Sequence, residues 1–219
     1  MLQALIMNPQ TPPQASVIWM HGLGANGYDF VDIVEQISCA KKLSIRFIFP
    51  HAPVRTVQYA DNAKMRAWFD VVSLEHGAKE DAIGIKKSAA MIAELIAQEL
   101  TLHIPSEKIV LAGFSQGGAM ALQCGLRYPK KLAGILVLSS WLPLASSVLA
   151  ERNTANQQTP ILMLHGTADT LIPLSWTTEN YNYLQEIGYQ VTLSSYPMQH
   201  TICPEEIVTI NTWLDNLLS

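Results

Sequence analysis

Basic residues are scarce in this chain: 14 lysines and arginines stand against 18 aspartates and glutamates in 219 residues, a formal net charge of −4. No basic run occurs, which argues against nucleic acid or an anionic membrane surface as the main partner. No apolar stretch approaches the roughly 20 residues that a membrane-spanning helix needs, so stable membrane insertion is not expected. The amino terminus lacks a basic region followed by a long apolar core and does not read as a secretory signal. Cysteines number three, Cys39, Cys124 and Cys203, with no metal-ligand spacing. Reduced thiols in a cytoplasmic protein are the simplest reading, and no metal is implied. Linkers rich in Pro, Gly or Ser, charge blocks and repeats are missing too, so residues 1–219 read as a single domain. With 49% hydrophobic content, that length can bury a sizeable core.

What is present is alternation. Strand-like apolar runs lie near 17–20, 45–49, 109–113, 134–138, 161–165 and 191–195. Helical patterns fall near 30–42, 80–100, 116–127, 174–187 and 204–218. Such alternation predicts an α/β fold, a mainly parallel sheet with helices on both faces. Ile85, Ala89, Ile92 and Ile96 recur at helical spacing and make one apolar face. Leu2-Gln3-Ala4-Leu5-Ile6 is a candidate antiparallel edge strand. Pro204, Glu205 and Glu206 suit a first helical turn, and Glu205 and Asp215 read as solvated.

The most informative segment is Gly113-Phe114-Ser115-Gln116-Gly117-Gly118, directly behind the run Ile109-Val110-Leu111-Ala112. Strand, sharp turn with a serine, then helix is the form of a nucleophile elbow. Its partners should follow in the order acid, then histidine. Asp169 falls in a loop behind Ile161-Leu162-Met163-Leu164, and His200 in a loop behind the run that starts at Val191. Asp169 could instead be a turn residue before Leu171-Ile172-Pro173. His200 is the only histidine after Asp169, so no other satisfies the order. His165 precedes the acid and reads as support. Ser115 would attack an acyl carbonyl, His200 would take its proton, and Asp169 would hold the imidazole tautomer.

A fourth part lies after the early strand Val17-Ile18-Trp19-Met20, in His21-Gly22-Leu23-Gly24-Ala25-Asn26-Gly27. One oxyanion donor would be the backbone N–H of Gln116, the second that of Leu23. The same glycines spell G-x-G-x-x-G, but Lys41 and Lys42 stand where a dinucleotide site needs an acid, which disfavours a nucleotide.

On these motifs, with Phe49-Pro50-His51-Ala52-Pro53, Arg66-Ala67-Trp68-Phe69-Asp70 and Met198-Gln199-His200, the chain resembles a bacterial carboxylesterase of the family that also holds acyl-protein thioesterases and lysophospholipase-like enzymes. The resemblance runs over nearly the whole chain. It implies an α/β-hydrolase fold, supports Ser115, Asp169 and His200 as a triad, and carries a homodimer as a family-level expectation. Two positions depart from the pattern of many thioesterase members: Gln199 stands where they have glycine, and Ala25 where they have aspartate. Both bear on substrate rather than chemistry.

From His51 to about Gly77 no long element is expected, and loops of that length are usually functional. Met65, Trp68 and Phe69 there, with Leu142 after the elbow, are candidate walls for an acyl chain; Trp68 and Phe69 could equally anchor the loop on the core. No large cap domain fits. The sequence therefore predicts a serine esterase for carboxylic esters of short to medium acyl chains. An acyl-protein thioesterase or lysophospholipase on the same machinery is the alternative, and a non-catalytic binding protein a third reading. The mechanism requires no cofactor.

Overall fold

The structure, a computed structural model, describes residues 2–219. Its strands are β1 (Ala4–Met7), β2 (Ala15–Met20), β3 (Ile45–Pro50), β4 (Val54–Val57), β5 (Ala63–Arg66), β6 (Ile109–Phe114), β7 (Gly134–Leu138), β8 (Ile161–Gly166) and β9 (Val191–Tyr196). Seven of them form one sheet in the order β1-β3-β2-β6-β7-β8-β9, while β4 and β5 pair as a separate hairpin. Every pairing in the large sheet is parallel except β1 with β3, where Leu5 faces Phe49 and Ile6 faces Ile48. The amino-terminal apolar run is thus the antiparallel edge strand that its sequence suggested.

The central strands β2, β7 and β8 are buried along their whole length, as expected where both faces of a parallel sheet are covered. Successive side chains of a strand point to opposite faces, and the core divides accordingly. Ile18, Met20, Leu111 and Val137 pack with Ile85, Ile92 and Ile96 of α3 (Ala82–Thr101), and with α4 (Gln116–Gly125) and α6 (Leu174–Glu186). Val17, Trp19, Phe47 and Phe49 pack instead with α1 (Val31–Gln36), α2 (Cys39–Lys42) and α7 (Pro204–Leu218). Between β7 and β8 only short turns and the four-residue α5 (Val148–Glu151) intervene, so no cap domain covers the sheet.

One expectation needs correction. The helical pattern near 30–42 is broken: a 3-10 turn at Gly27–Phe30 leads into α1, and Ile37 is extended before α2 begins. The break is tertiary in origin, because Asn211 of α7 accepts hydrogen bonds from Ser38 Oγ (3.1 Å) and Cys39 N (2.9 Å). The segment from His51 to Gly77 has no element longer than four residues, as its sequence suggested. It holds the β4–β5 hairpin, whose turn places Asp61 and Asn62 in the left-handed region (φ 51° and 59°) that these two side chains tolerate.

Glu206 is a further surprise. It stands in the first turn of α7, where a carboxylate meets the helix dipole, yet it is fully buried and neither side-chain oxygen has a hydrogen-bond partner among the described residues. Burial pushes its pKa up to about 8, against the opposing backbone N–H interaction at Cys203. A folded state that holds this proton more tightly than the unfolded chain has its stabilising contribution intact below the ordinary carboxylate pKa, and loses it as pH rises toward 8. Glu206→Gln should therefore raise the melting temperature at pH 9 by about 5 °C or more and flatten its fall between pH 5 and 9. Parallel melting curves of wild type and variant across that range would check it; equal slopes would assign the alkaline sensitivity elsewhere.

Candidate active site

The residues singled out from sequence converge at the carboxyl ends of neighbouring strands, the usual place for a site on a parallel sheet. β2 leads into His21–Gly24, β6 into Ser115, β8 into the loop of Asp169, and β9 into the loop of His200.

Ser115 sits at φ 54° and ψ −122°, a conformation that few residues other than glycine adopt. Such strain costs about 1–3 kcal/mol and persists only where the surroundings impose it. Here they do. Ser115 N donates to Leu138 O of β7 (2.8 Å), and Ser115 O accepts from Ser140 Oγ (2.6 Å), Gly118 N (2.9 Å) and Ala119 N (3.1 Å). Glycine is required on either side of the turn: a Cβ on Gly113 would lie 2.2 Å from the backbone of Gly117, and one on Gly117 would lie 2.1 Å from Met20 O.

Asp169 is buried, and its oxygens are fully engaged. Oδ1 accepts from the backbone N–H groups of Leu171 and Ile172, each at 2.9 Å; Oδ2 accepts from His200 Nδ1 at 2.7 Å. So Asp169 is at once the turn residue of the bland reading and the partner of the histidine. The His200 tautomer follows, since a carboxylate can only accept: Nδ1 carries the proton and Nε2 has its lone pair free. Ser115 Oγ and His200 Nε2 form no hydrogen bond among the described residues, with each other or with a third group. Such contacts are often loose without substrate and close when it binds. The ring of Phe114 lies 4.7 Å from that of His200 and walls one side.

His165 is fully buried beside the acid, with Nε2 3.4 Å from Asp169 Oδ2 and 2.7 Å from Ile172 O, to which it donates. Burial lowers its pKa. It shapes the Asp169 loop, a supporting role that its place in the sequence suggested.

The backbone N–H groups of Leu23 and Gln116 donate to nothing among the described residues, whereas their neighbour Gly24 N donates to Arg66 O at 2.8 Å. Two unused donors thus flank the serine, which is the requirement for holding an oxyanion. What fixes them was not read from sequence. His21 Nδ1 donates to Gly22 O (2.7 Å) and His21 Nε2 accepts from Ala52 N (3.0 Å), so one neutral imidazole splints the glycine-rich loop. Burial keeps that ring's pKa low. The Gln116 side chain bridges the backbone of Trp68 and Phe69, accepting from Trp68 N and donating to Phe69 O, each at 2.8 Å.

Trp68 requires correction as a substrate wall. It is fully buried, its Nε1–H donates to His21 O (2.9 Å), and Ser88 Oγ donates to its carbonyl. It is the anchor of the alternative reading. Met65 is half-buried, near Gly24, and lines neither of the two clefts by the site. Phe69 and Leu142, though themselves mostly buried, do line a cavity of about 330 Å³ together with Val71, Leu74, Trp141 and Trp176. Trp68→Phe should thus lower kcat/KM by about tenfold, because a buried carbonyl loses its donor. The drop should be equal from acetyl to palmitoyl substrates; a loss growing with chain length would return Trp68 to the substrate wall.

Comparison with known proteins agrees with this geometry. The model of the family described as Phospholipase/Carboxylesterase matches residues 1–218. A Neurospora crassa protein named acyl-protein thioesterase 1 is 39% identical over 213 residues, covering 93% of this chain and 87% of that protein. The Mycosarcoma maydis protein of the same name is 34% identical over 234 residues, 99% of this chain and 98% of its own length. Among solved structures, Arabidopsis thaliana SOBER1 superposes with a TM-score of 0.89 at 31% identity, covering 94% of this chain and 99% of that one. Zea mays acyl-protein thioesterase 2 gives the same score at 28% identity over all of both chains. These relatives are fungal and plant proteins, so the comparisons do not carry the bacterial part of the resemblance. With a strained serine at a strand end, and a family match over nearly its full length, the chain is a hydrolase that belongs to the phospholipase/carboxylesterase family, on the α/β-hydrolase fold.

Proposed function

We propose that this protein is a serine hydrolase of acyl thioesters, with S-acylated peptides as its substrate class and Ser115, His200 and Asp169 as its triad. The observation that carries the chemistry is the 2.7 Å hydrogen bond by which Asp169 holds the Nδ1 proton of His200, so that the neutral ring offers Nε2 as the base, beside a serine flanked by two unused N–H donors. The thioester preference draws support from the names of the relatives, which favour it over the short-chain carboxylesterase that the sequence first suggested.

In this reading Ser115 Oγ attacks the thioester carbonyl carbon as His200 Nε2 takes its proton. The N–H groups of Leu23 and Gln116 hold the oxyanion, which is stronger in the tetrahedral state than in the carbonyl and so favours the transition state. The C–S bond breaks, and the imidazolium returns the proton to the departing sulfur. Water, deprotonated by His200, then attacks the acyl-serine; the acid leaves and the hydroxyl is restored. The cavity of Phe69, Trp141, Leu142 and Trp176 also has charged residues such as Asp70, Glu75 and Glu179 in its lining, and the acyl chain would lie along those four apolar side chains, each buried methylene adding about 0.8 kcal/mol until its end is reached.

The test is a set of kcat/KM values for S-acyl peptides, aryl esters and lysophospholipids of matched acyl length. Thioester values at least tenfold above the oxoesters would sustain the proposal. Aryl esters cleaved best, with an optimum at short chains, would restore the carboxylesterase reading.

A further inference from the structure

A second cavity, of about 410 Å³, opens on the other side of the acid loop. That loop sends consecutive side chains to different places: Ile172 lines the first cavity and Leu171 the second. The two cavities have no lining residue in common. Leu23, Phe30, Ile33, Phe114, Leu171 and Ile202 give the second its apolar walls, and His200 itself is part of its lining. Leu171 is 47% exposed there, a large apolar side chain left open to solvent at the edge of the site.

Proton transfer decides what each cavity receives. His200 must deliver its proton to the leaving sulfur, so that atom has to depart on the side where the imidazole stands. Of the two cavities, the second includes His200, whereas the lining of the first, from Phe69 to Glu80 with Trp141, Leu142, Ile172 and Trp176, contains no residue of the triad. We infer that the second cavity is the leaving-group subsite, and that it takes an apolar side chain next to the acylated cysteine of a peptide. The inference rests on the thioesterase reading and narrows it.

Charge narrows it further. Apart from His200, the one ionisable residue in the lining is Asp29, a carboxylate that caps the turn at Gly27 by accepting from Asn26 N and Asn26 Nδ2. No lysine or arginine is present to meet a phosphate, and a phosphate entering here would face Asp29. A leaving group with phosphate, whether coenzyme A or the glycerophosphate half of a lysophospholipid, is therefore the wrong occupant, for want of the cationic donors such groups need. Leucine, methionine or phenylalanine beside the cysteine matches the walls, and the cavity is of ordinary ligand-site size, within the roughly 300–1,000 Å³ range.

The experiment holds the acyl group at octanoyl and varies the thiol: N-acetylcysteamine, a cysteine tripeptide flanked by leucine, the same flanked by aspartate, and coenzyme A. The leucine-flanked peptide should exceed N-acetylcysteamine in kcat/KM by about ten- to a hundredfold, as expected for burying one leucine, and coenzyme A should fall below both. Leu171→Ala, at an exposed position, and Ile33→Asp should each bring the leucine preference close to one while leaving the optimum acyl length where it was. A preference that survives both variants overturns the inference, as does a shift in the acyl optimum, which would put the acyl chain in this cavity. Coenzyme A cleaved as fast as the leucine peptide overturns it too. Failure of the thioesterase reading looks different: wild type would cleave 4-nitrophenyl octanoate and none of the thioesters. The same series built with alcohol leaving groups would then test the cavity on its own, with the same variants and the same criteria.

Discussion

A protein with alanine at position 115 should be folded, unlabelled by a fluorophosphonate, and slower in turnover by about four to six orders of magnitude. The fold should survive because the backbone of this residue, not its hydroxyl, makes the structural contacts: its N–H reaches β7 and its carbonyl is held by Ser140 and α4. Alanine has the same Cβ as serine, so it bears the positive φ at similar strain. Turnover should collapse because no other group supplies the attacking oxygen, while the donors at Leu23 and Gln116 remain to bind substrate. Substrate affinity, read by inhibition with a non-hydrolysable thioether, should consequently stay within a few-fold of wild type. Fluorophosphonate labelling that persists on another serine would remove Ser115 from the mechanism.

Asp169→Asn is the second large effect, with kcat lowered by up to about 10⁴. The asparagine carbonyl can still accept from the N–H groups of Leu171 and Ile172, so the loop and the melting temperature should change little. Its amide nitrogen, though, would face His200 as a donor. The imidazole would answer by accepting at Nδ1 and carrying its proton on Nε2, where it can no longer take one from Ser115. A pH–rate profile should show the loss persisting across the neutral range. Activity within tenfold of wild type at unchanged stability would leave Asp169 a turn residue only, with another carboxylate orienting the histidine.

How much of this was legible in advance depended on whether the signal was local. Most sheet strands could be read because buried parallel strands are continuous apolar runs, and Ser115, Asp169 and His200 could be proposed because each stands in the turn or loop that follows a strand-like run. The Asn211 contact that splits α1 from α2 joins residues more than 170 positions apart, and no periodicity records it. Trp68 was ambiguous for a related reason. An aromatic residue in a loop looks the same whether it faces substrate or core, and only the His21 carbonyl waiting for its Nε1–H decides. His21 itself was quoted as part of a motif but given no task, because its hydrogen bonds go to backbone atoms. Glu206 suited a first helical turn by sequence, and the packing that buries it is tertiary.

The attachment of the nucleophile has a consequence for how such a protein can change. Every backbone contact that fixes Ser115 comes from β7, its following turn, or α4, and none comes from the β4–β5 hairpin. That hairpin is joined to the site at its base, where Arg66 O receives Gly24 N, and through Gln58 N and Tyr59 N, which donate to Asp70 Oδ1 and Val71 O, while its tip at Asp61–Lys64 is exposed. Insertions or exchanges at Asp61–Lys64 would therefore leave the geometry of the serine intact. Change at the surface and preservation of the reaction are separable in this chain, and a library confined to those four exposed positions could explore one without endangering the other.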